Sequence, residues 1–328
     1  MRIPDMCALN VLLVTPAAKG TLHGNRVTAT RWARILRSLG CRVTIAGAFE
    51  GQSCDLLIAL HARKSAPSIE RFRRQRPGQP LVLCLTGTDV YQDLATSSEA
   101  ARSIELADRI VTLEPLAARM LEPALRHKAR TIYQSSEPLK SPARPLESCF
   151  EICVSGHLRE VKDPFCAARA AALLPSGSRI RITHIGGALS PEMEAAANEE
   201  MRINPRYRWI GEKPRSQARR MLCRSRLMVI SSVLEGGANV VSEAIVCKVP
   251  VLASSIPGNV GLLGEEYPGY FEVGNVAKLA ELMLRAETDG EFLESLRRGC
   301  SLRSKLFEPS AERQAWRSLL AELLLKSK

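Results

Sequence analysis

Short apolar runs separated by helix-period segments, twice over, constrain this chain more than any other feature. In the first half the runs are "LNVLLV" (9–14), "RVTIA" (42–46), "DLLIAL" (55–60), "PLVLCL" (80–85), "RIVTL" (109–113) and "ARTIY" (129–133). Segments of helical period, including 26–39, 65–75 and 115–125, separate most of them. Strands apolar on both faces and alternating with helices predict a parallel sheet covered on both sides. The stretch "QSSEPLKSPARPLES" (134–148) is rich in Pro and Ser, has no apolar period, and reads as an interdomain linker. The series then restarts with "FEICVSG" (150–156), "RIRITHIG" (179–186), "YRWIG" (207–211), "RLMVISS" (226–232) and "VPVLAS" (249–254). With 328 residues, two cores of about 150 residues each are expected. The expected fold class is α/β, with two Rossmann-like doubly wound domains facing a central cleft that the C-terminal ends of the strands line. We place the domains at 1–145 and 146–307, with an amphipathic helical tail from Lys278 whose last part, 308–328, returns toward the first domain.

Composition narrows the function. The chain is 45% hydrophobic and 24% charged, and no apolar run approaches the roughly 20 residues of a membrane span. The start, "MRIPDMCALNVLLVTP", reads as a first strand and not as a signal peptide, which points to a cytoplasmic protein. Ten scattered cysteines, several in strand-like runs, are expected to be reduced core thiols. The net charge of +12 comes largely from "SIERFRRQRP" (68–77) and "PRSQARRMLCRSR" (214–226), whose arginines are expected on solvated outer faces. Aromatic residues make up only 5%, and no basic stretch interleaves with them, so a nucleic-acid module is disfavoured. The oligomeric state is not legible.

One segment, "SSVLEGGANVVSEA" (231–244), carries the chemistry. A strand ends in a loop bearing Glu235, Gly236 and Gly237, and a helix begins near Ala238 or Asn239. Free N–H groups at a helix start favour an anion, and glycines let a ligand approach the main chain. A carboxylate at the loop suits sugar hydroxyls. Glu243, a turn and a half into the helix, points back toward the same end and suits a ribose diol. Read structurally instead, Glu235 is a cap and Glu243 a solvent-facing residue.

The pattern of a glutamate after a Ser-ended strand, a Gly-rich loop and then Glu-Ala resembles the family-4 retaining glycosyltransferases of the GT-B fold. "VSGHLREVKDP" (154–164), "YRWIGEKP" (207–214) and "SSIPGNVGLLG" (254–264) are similar to further elements of that family: the opening of its second domain, a strand-Gly element near the base, and a following loop. The resemblance implies that Glu243 binds the ribose, Glu235 the transferred sugar and Lys162 the diphosphate, with Gly211 near the base. Where the family has Arg after the Gly, this chain has His157, and Arg159 two residues on is the other candidate for the second donor to the diphosphate. In the first domain, His61 ends a strand at a position where the family carries a donor-site His. We therefore take His61, Glu235 and Lys162 as catalytic candidates. Gly236, Gly237, Ala238 and Asn239 join the donor site. Lys19, Gly24, Asn25, Arg26, Arg63, Thr86, Gly87 and Thr88, together with Lys64, are candidates for the acceptor.

Longer strings are similar to a narrower group, the selenosugar synthases of selenoneine biosynthesis: "GNRVTATRWARILRSLGCRV", "LHARKSA", "LTGTDVY" and "NPRYRWIGE". That resemblance implies transfer of a hexose, N-acetylglucosamine or glucose, from a UDP-sugar to selenophosphate. Selenophosphate is a small anion with a soft nucleophile, so cations and N–H donors rather than a strong base would position it. No D-x-D occurs, so no catalytic metal and no cofactor are expected. The alternatives are a family-4 transferase with a lipid or another small-molecule acceptor, without stable membrane insertion, and a UDP-sugar epimerase of similar fold.

Overall fold

Alternate residues of the first strand, β1 (Asn10–Val14), enter two different cores, which is why it reads as one unbroken apolar run. Val11 and Leu13 join one cluster, and Leu12 and Val14 the other. The computed structural model describes residues 9–17, 24–87, 89–139, 141 and 144–326. The chain divides into two units, Met1–Gln134 with Pro309–Lys328, and Ser135–Glu308. In the first unit, β1 is followed by α1 (Gly24–Ser38), β2 (Arg42–Ala46), β3 (Leu56–Leu60), α2 (Ala66–Gln75), β4 (Leu81–Leu85), α3 (Ser98–Leu106), β5 (Arg109–Thr112) and β6 (Ala129–Thr131). Its six strands are all parallel, in the order β2-β1-β3-β4-β5-β6.

The second unit runs β7 (Phe150–Ser155), α4 (Cys166–Ala172), β8 (Ile180–Ile185), α5 (Pro191–Ile203), β9 (Tyr207–Trp209), α6 (Arg215–Arg224), β10 (Leu227–Ile230), α7 (Asn239–Val246), β11 (Val251–Ser254), α8 (Pro257–Leu263), β12 (Tyr270–Phe271), α9 (Val276–Thr288) and α10 (Gly290–Arg303). Its order is β12-β11-β10-β7-β8-β9, again parallel throughout. Each sheet therefore has a point where the order reverses, between β1 and β3 in the first and between β7 and β10 in the second. Loops leaving the strand ends diverge there and open a crevice.

The last helix, α11 (Pro309–Lys326), packs in the first unit. Trp316, Leu319, Leu320 and Leu323 enter the same cluster as Trp32 and Leu36 of α1. The two indoles meet edge to face at 5.0 Å, and Trp32 Nε1 donates to the buried Glu312 carboxylate at 2.8 Å. Further along, Glu322 accepts from Arg109 (2.9 and 2.7 Å) and from Arg130 (2.9 and 2.5 Å).

Four expectations change. The helix expected over 115–125 is two 3-10 turns, Leu116–Met120 and Pro123–Lys128, because Pro115 and Pro123 interrupt the backbone ladder. Part of "SSIPGNVGLLG", read as a loop, is the helix α8, with Pro257 at its first position. Cys223 and Cys247 form a disulfide with their Cα atoms 5.1 Å apart, so not all the thiols are free. The arginines of 214–226 are not all on a solvated face. Arg215 pairs with Glu243, Arg219 reaches Ser136 and the Glu137 carbonyl, and Arg224 pairs with the buried Glu151.

Candidate functional site

The reversal point of the second sheet holds a pocket lined by Gly156, His157, Lys162, His184, Ser231, Ser232, Glu235 and Val240, among others. Residues after β7 form one wall, and residues after β10 form the other. A short 3-10 turn, Glu160–Lys162, presents Lys162, and its exit residue Asp163 has φ +40°. The turn is tied to the opposite wall: Val233 N donates to Val161 O at 2.9 Å, and Ser231 Oγ donates to Asp163 O at 2.9 Å. Across the pocket Lys162 Nζ pairs with Glu235 Oε1, which also accepts from Ser232 Oγ at 2.7 Å. Behind this lies a further chain of bonds, with Ser254 Oγ donating to Ser232 O at 2.6 Å and Asn259 Nδ2 to Ser254 O at 3.0 Å. Gly258 lets α8 abut the Glu235 loop, since a Cβ there would stand 2.1 Å from Glu235 O.

His157 lines the pocket, and Arg159 is exposed outside that lining. Gly187 N donates to His157 Nδ1 at 3.2 Å, which places the proton of the neutral ring on Nε2. Beneath it, His184 is 1% exposed and bonds Tyr207 Oη at 3.0 Å and Gly156 O at 3.1 Å. Burial drives its pKa down, only partly offset by the bond to Gly156 O, to about 4. His184 is thus a neutral prop under the Gly156–His157 loop. In the sequence it is one polar residue beside Arg181 and Thr183 in the strand-like "RITHIG", and nothing in that pattern singles it out. Gly186 lets the neighbouring loop approach: a Cβ there would stand 1.9 Å from Gly156 O. Gly211, with φ +69°, accepts from Gly186 N at 3.0 Å, and Trp209 Nε1 donates to Gly186 O at 2.7 Å.

α7 begins at Asn239 with Ala238 as its cap residue, after Gly236 and Gly237. No side chain caps this start, and Asn239 Oδ1 is buried without a hydrogen-bond partner among the described residues. Glu243 sits on the second turn. Its Oε1 accepts from Arg215 Nε at 3.1 Å and Nη2 at 2.8 Å.

In the first unit, His61 follows β3 with φ +74° and is 3% exposed. Its Nδ1 faces Lys64 N at 3.4 Å, and its Nε2 lies 3.8 Å from Asp93 Oδ2. Arg63 Nε is 3.4 Å from the same oxygen. Asp89 accepts from Ala62 N at 3.1 Å and Gly87 N at 2.8 Å, joining the loops after β3 and β4. Burial lowers the His61 pKa, opposed chiefly by the Asp89 charge, and burial raises that of Asp89, opposed chiefly by His61. Both aspartates lie on one π-helical turn, Asp89–Asp93, and the sequence reading had not singled them out. Thr86 Oγ1 donates to Asn25 Oδ1 at 2.8 Å, which links β4 to the first turn of α1, where Gly24 and Arg26 also stand. Lys19 and Thr88 lie outside the described residues.

Residues 140–300 match the family model described as glycosyl transferases group 1. The chain is 26% identical over 273 residues to the Xenopus tropicalis glycosyltransferase 1 domain-containing protein 1, covering 75% of this chain and 79% of the relative. Among solved structures it is similar to Anabaena HepE, determined in complex with UDP and glucose, with a TM-score of 0.74 and 15% identity over 96% of this chain and 100% of that one. It is also similar to sucrose-phosphate synthase from Thermosynechococcus elongatus, with a TM-score of 0.76 and 16% identity over 97% and 100% of the two chains. The two Rossmann-like units are those of the GT-B fold.

Proposed function

We propose that this chain, whose residues 140–300 match the family model described as glycosyl transferases group 1, transfers a hexose from a UDP-sugar to selenophosphate. The observation that carries the donor half is the pocket at the β7–β10 reversal, where Lys162 and His157 share a wall and Glu235 stands opposite. A nucleotide-sugar bond breaks with negative charge growing on the leaving diphosphate. Fixed cations and N–H donors lower that barrier because they need no reorganisation as the charge develops. The Lys162 ammonium, His157 Nε2–H and the uncapped start of α7 are such donors. Arrival of the diphosphate draws Lys162 from Glu235 and frees the carboxylate for sugar hydroxyls. Glu243 takes the ribose diol. The complexes of HepE with UDP and with UDP-glucose support UDP as the nucleotide.

The acceptor half rests on the resemblance of the long sequence strings to selenosugar synthases, and on the cations Arg63, Lys64 and Arg26 in the first unit. The selenium lone pair forms the carbon–selenium bond as the sugar C1–O bond breaks, and that bond's electron pair leaves with UDP. Water then cleaves the phosphorus–selenium bond and releases phosphate. The test incubates the protein with UDP-N-acetylglucosamine or UDP-glucose, with and without selenophosphate. UDP is followed by chromatography and selenium products by mass spectrometry. UDP and a selenohexose formed only when both substrates are present is the expected result. UDP release with no selenium in the product would assign another acceptor. A new UDP-sugar without UDP release would make the protein an epimerase.

A further inference from the structure

We infer that Arg215 is the positioning residue that prepares Glu243 to read the two ribose hydroxyls. This rests on the donor reading above. A guanidinium facing a carboxylate ordinarily uses two parallel bonds, one to each oxygen. Here both donors, Nε at 3.1 Å and Nη2 at 2.8 Å, converge on Oε1 of Glu243. Oε2 makes no hydrogen bond among the described residues, and it is not one of the buried atoms left without a partner. The glutamate side chain is only 13% exposed while that of Arg215 is 52% exposed, so the arginine fixes the carboxylate from its solvent side. Oε1 is held by two N–H bonds, and Oε2 keeps both of its acceptor directions, one for each hydroxyl of a cis-diol.

The arginine is itself held. It is the first residue of α6, and Pro214 immediately before it fixes the entry of the chain. Further along the same helix, Arg219 bonds Ser136 and the Glu137 carbonyl, Arg224 bonds Glu151, and Cys223 is joined to Cys247 just beyond α7. α6 therefore cannot slide along α7 without breaking several contacts. Lysine in this place would supply a single point charge without the two convergent donors.

Titration calorimetry of the full chain with UDP and with 2′,3′-dideoxyuridine 5′-diphosphate tests this. The unaltered protein prefers UDP. Arg215→Ala weakens UDP about tenfold and leaves the dideoxy compound within twofold, and Arg215→Lys falls between. In an Glu243→Gln background Arg215→Ala has little further effect, because the two act as a unit. Equal weakening of both nucleotides would mean that Arg215 serves the diphosphate, and unchanged UDP affinity would mean that it serves nothing in binding. Either result overturns the inference and leaves the donor pocket standing. Failure of the unaltered protein to bind UDP overturns both readings.

Discussion

Acidification tests the account of the pocket floor most directly. His184 is buried and neutral, with its pKa held down by burial to about 4 from an ordinary 6.5. In the unfolded chain it takes up a proton near pH 6.5, and in the folded chain it resists until near pH 4. Between those values the unfolded state binds more protons, so the contribution is complete above pH 6.5 and is lost as the pH falls toward 4. A shift of about 2.5 units corresponds to about 3 kcal/mol in full, of which about 2 kcal/mol is gone by pH 5. The measurement is urea unfolding of the full chain at several pH values from 7.5 to 5, beside the variant His184→Gln. His61 also has a lowered pKa and contributes in the same direction, but it is common to both proteins and cancels in the difference. The variant is less stable at pH 7.5, since it reproduces neither the Tyr207 nor the Gly156 contact well, yet the gap narrows by about 2 kcal/mol at pH 5. A gap that stays constant across this range would show that His184 is accessible to protons, and the argument for a neutral prop under His157 would fail.

Three other perturbations report on separate parts of the molecule. Burial alone raises the pKa of Glu322, but hydrogen bonds from Arg130 and Arg109 bring it down to about 2. The group is partly exposed, so we expect Glu322→Gln to cost about 1–2 kcal/mol at pH 7, read as a lower melting temperature. That difference persists above pH 4.5 and shrinks as the pH falls toward 2. Gly258→Ala places a Cβ 2.1 Å from Glu235 O and should cost about 1–3 kcal/mol together with sugar transfer, while Gly290→Ala, which meets nothing within 4 Å, should be neutral or slightly stabilising. Equal melting temperatures for the two alanine variants would contradict the close approach. Lys162→Ala removes the cation facing Glu235 and should slow UDP release about 100-fold or more, and a loss below threefold would deny it a role in the leaving-group step.

The parallel sheets were legible because burial on both faces leaves a continuous apolar run, as in "LLIAL" of β3 and "LVLCL" of β4. The segment from Glu235 to Glu243 was legible because strand, glycines and helix start are consecutive. What escaped were pairings between distant positions, which leave no periodic trace. Trp32 meets Glu312 across 280 residues, and Arg215 meets Glu243 from another helix. β12, two residues long, is too short to show alternation. Asp89 lies in "LTGTDVY" and Asp93 two residues beyond it, but only the π-helical turn sets both beside His61. The arginines of α6 looked like a solvated face because a charge pattern on one helix does not show which carboxylates another segment brings to it.

The bond between Cys223 and Cys247, 24 positions apart, has a topological consequence. Everything between them, β10, the Glu235 loop and α7, lies inside one covalent ring. Closing a ring of that size removes about 3–4 kcal/mol of chain entropy from the unfolded ensemble. It also ties the fluctuations of the Glu235 loop to those of α6, since neither end of the segment can peel away alone. An oxidising and a reducing environment thus present one sequence as two polymers at this point, a closed ring and an open strand.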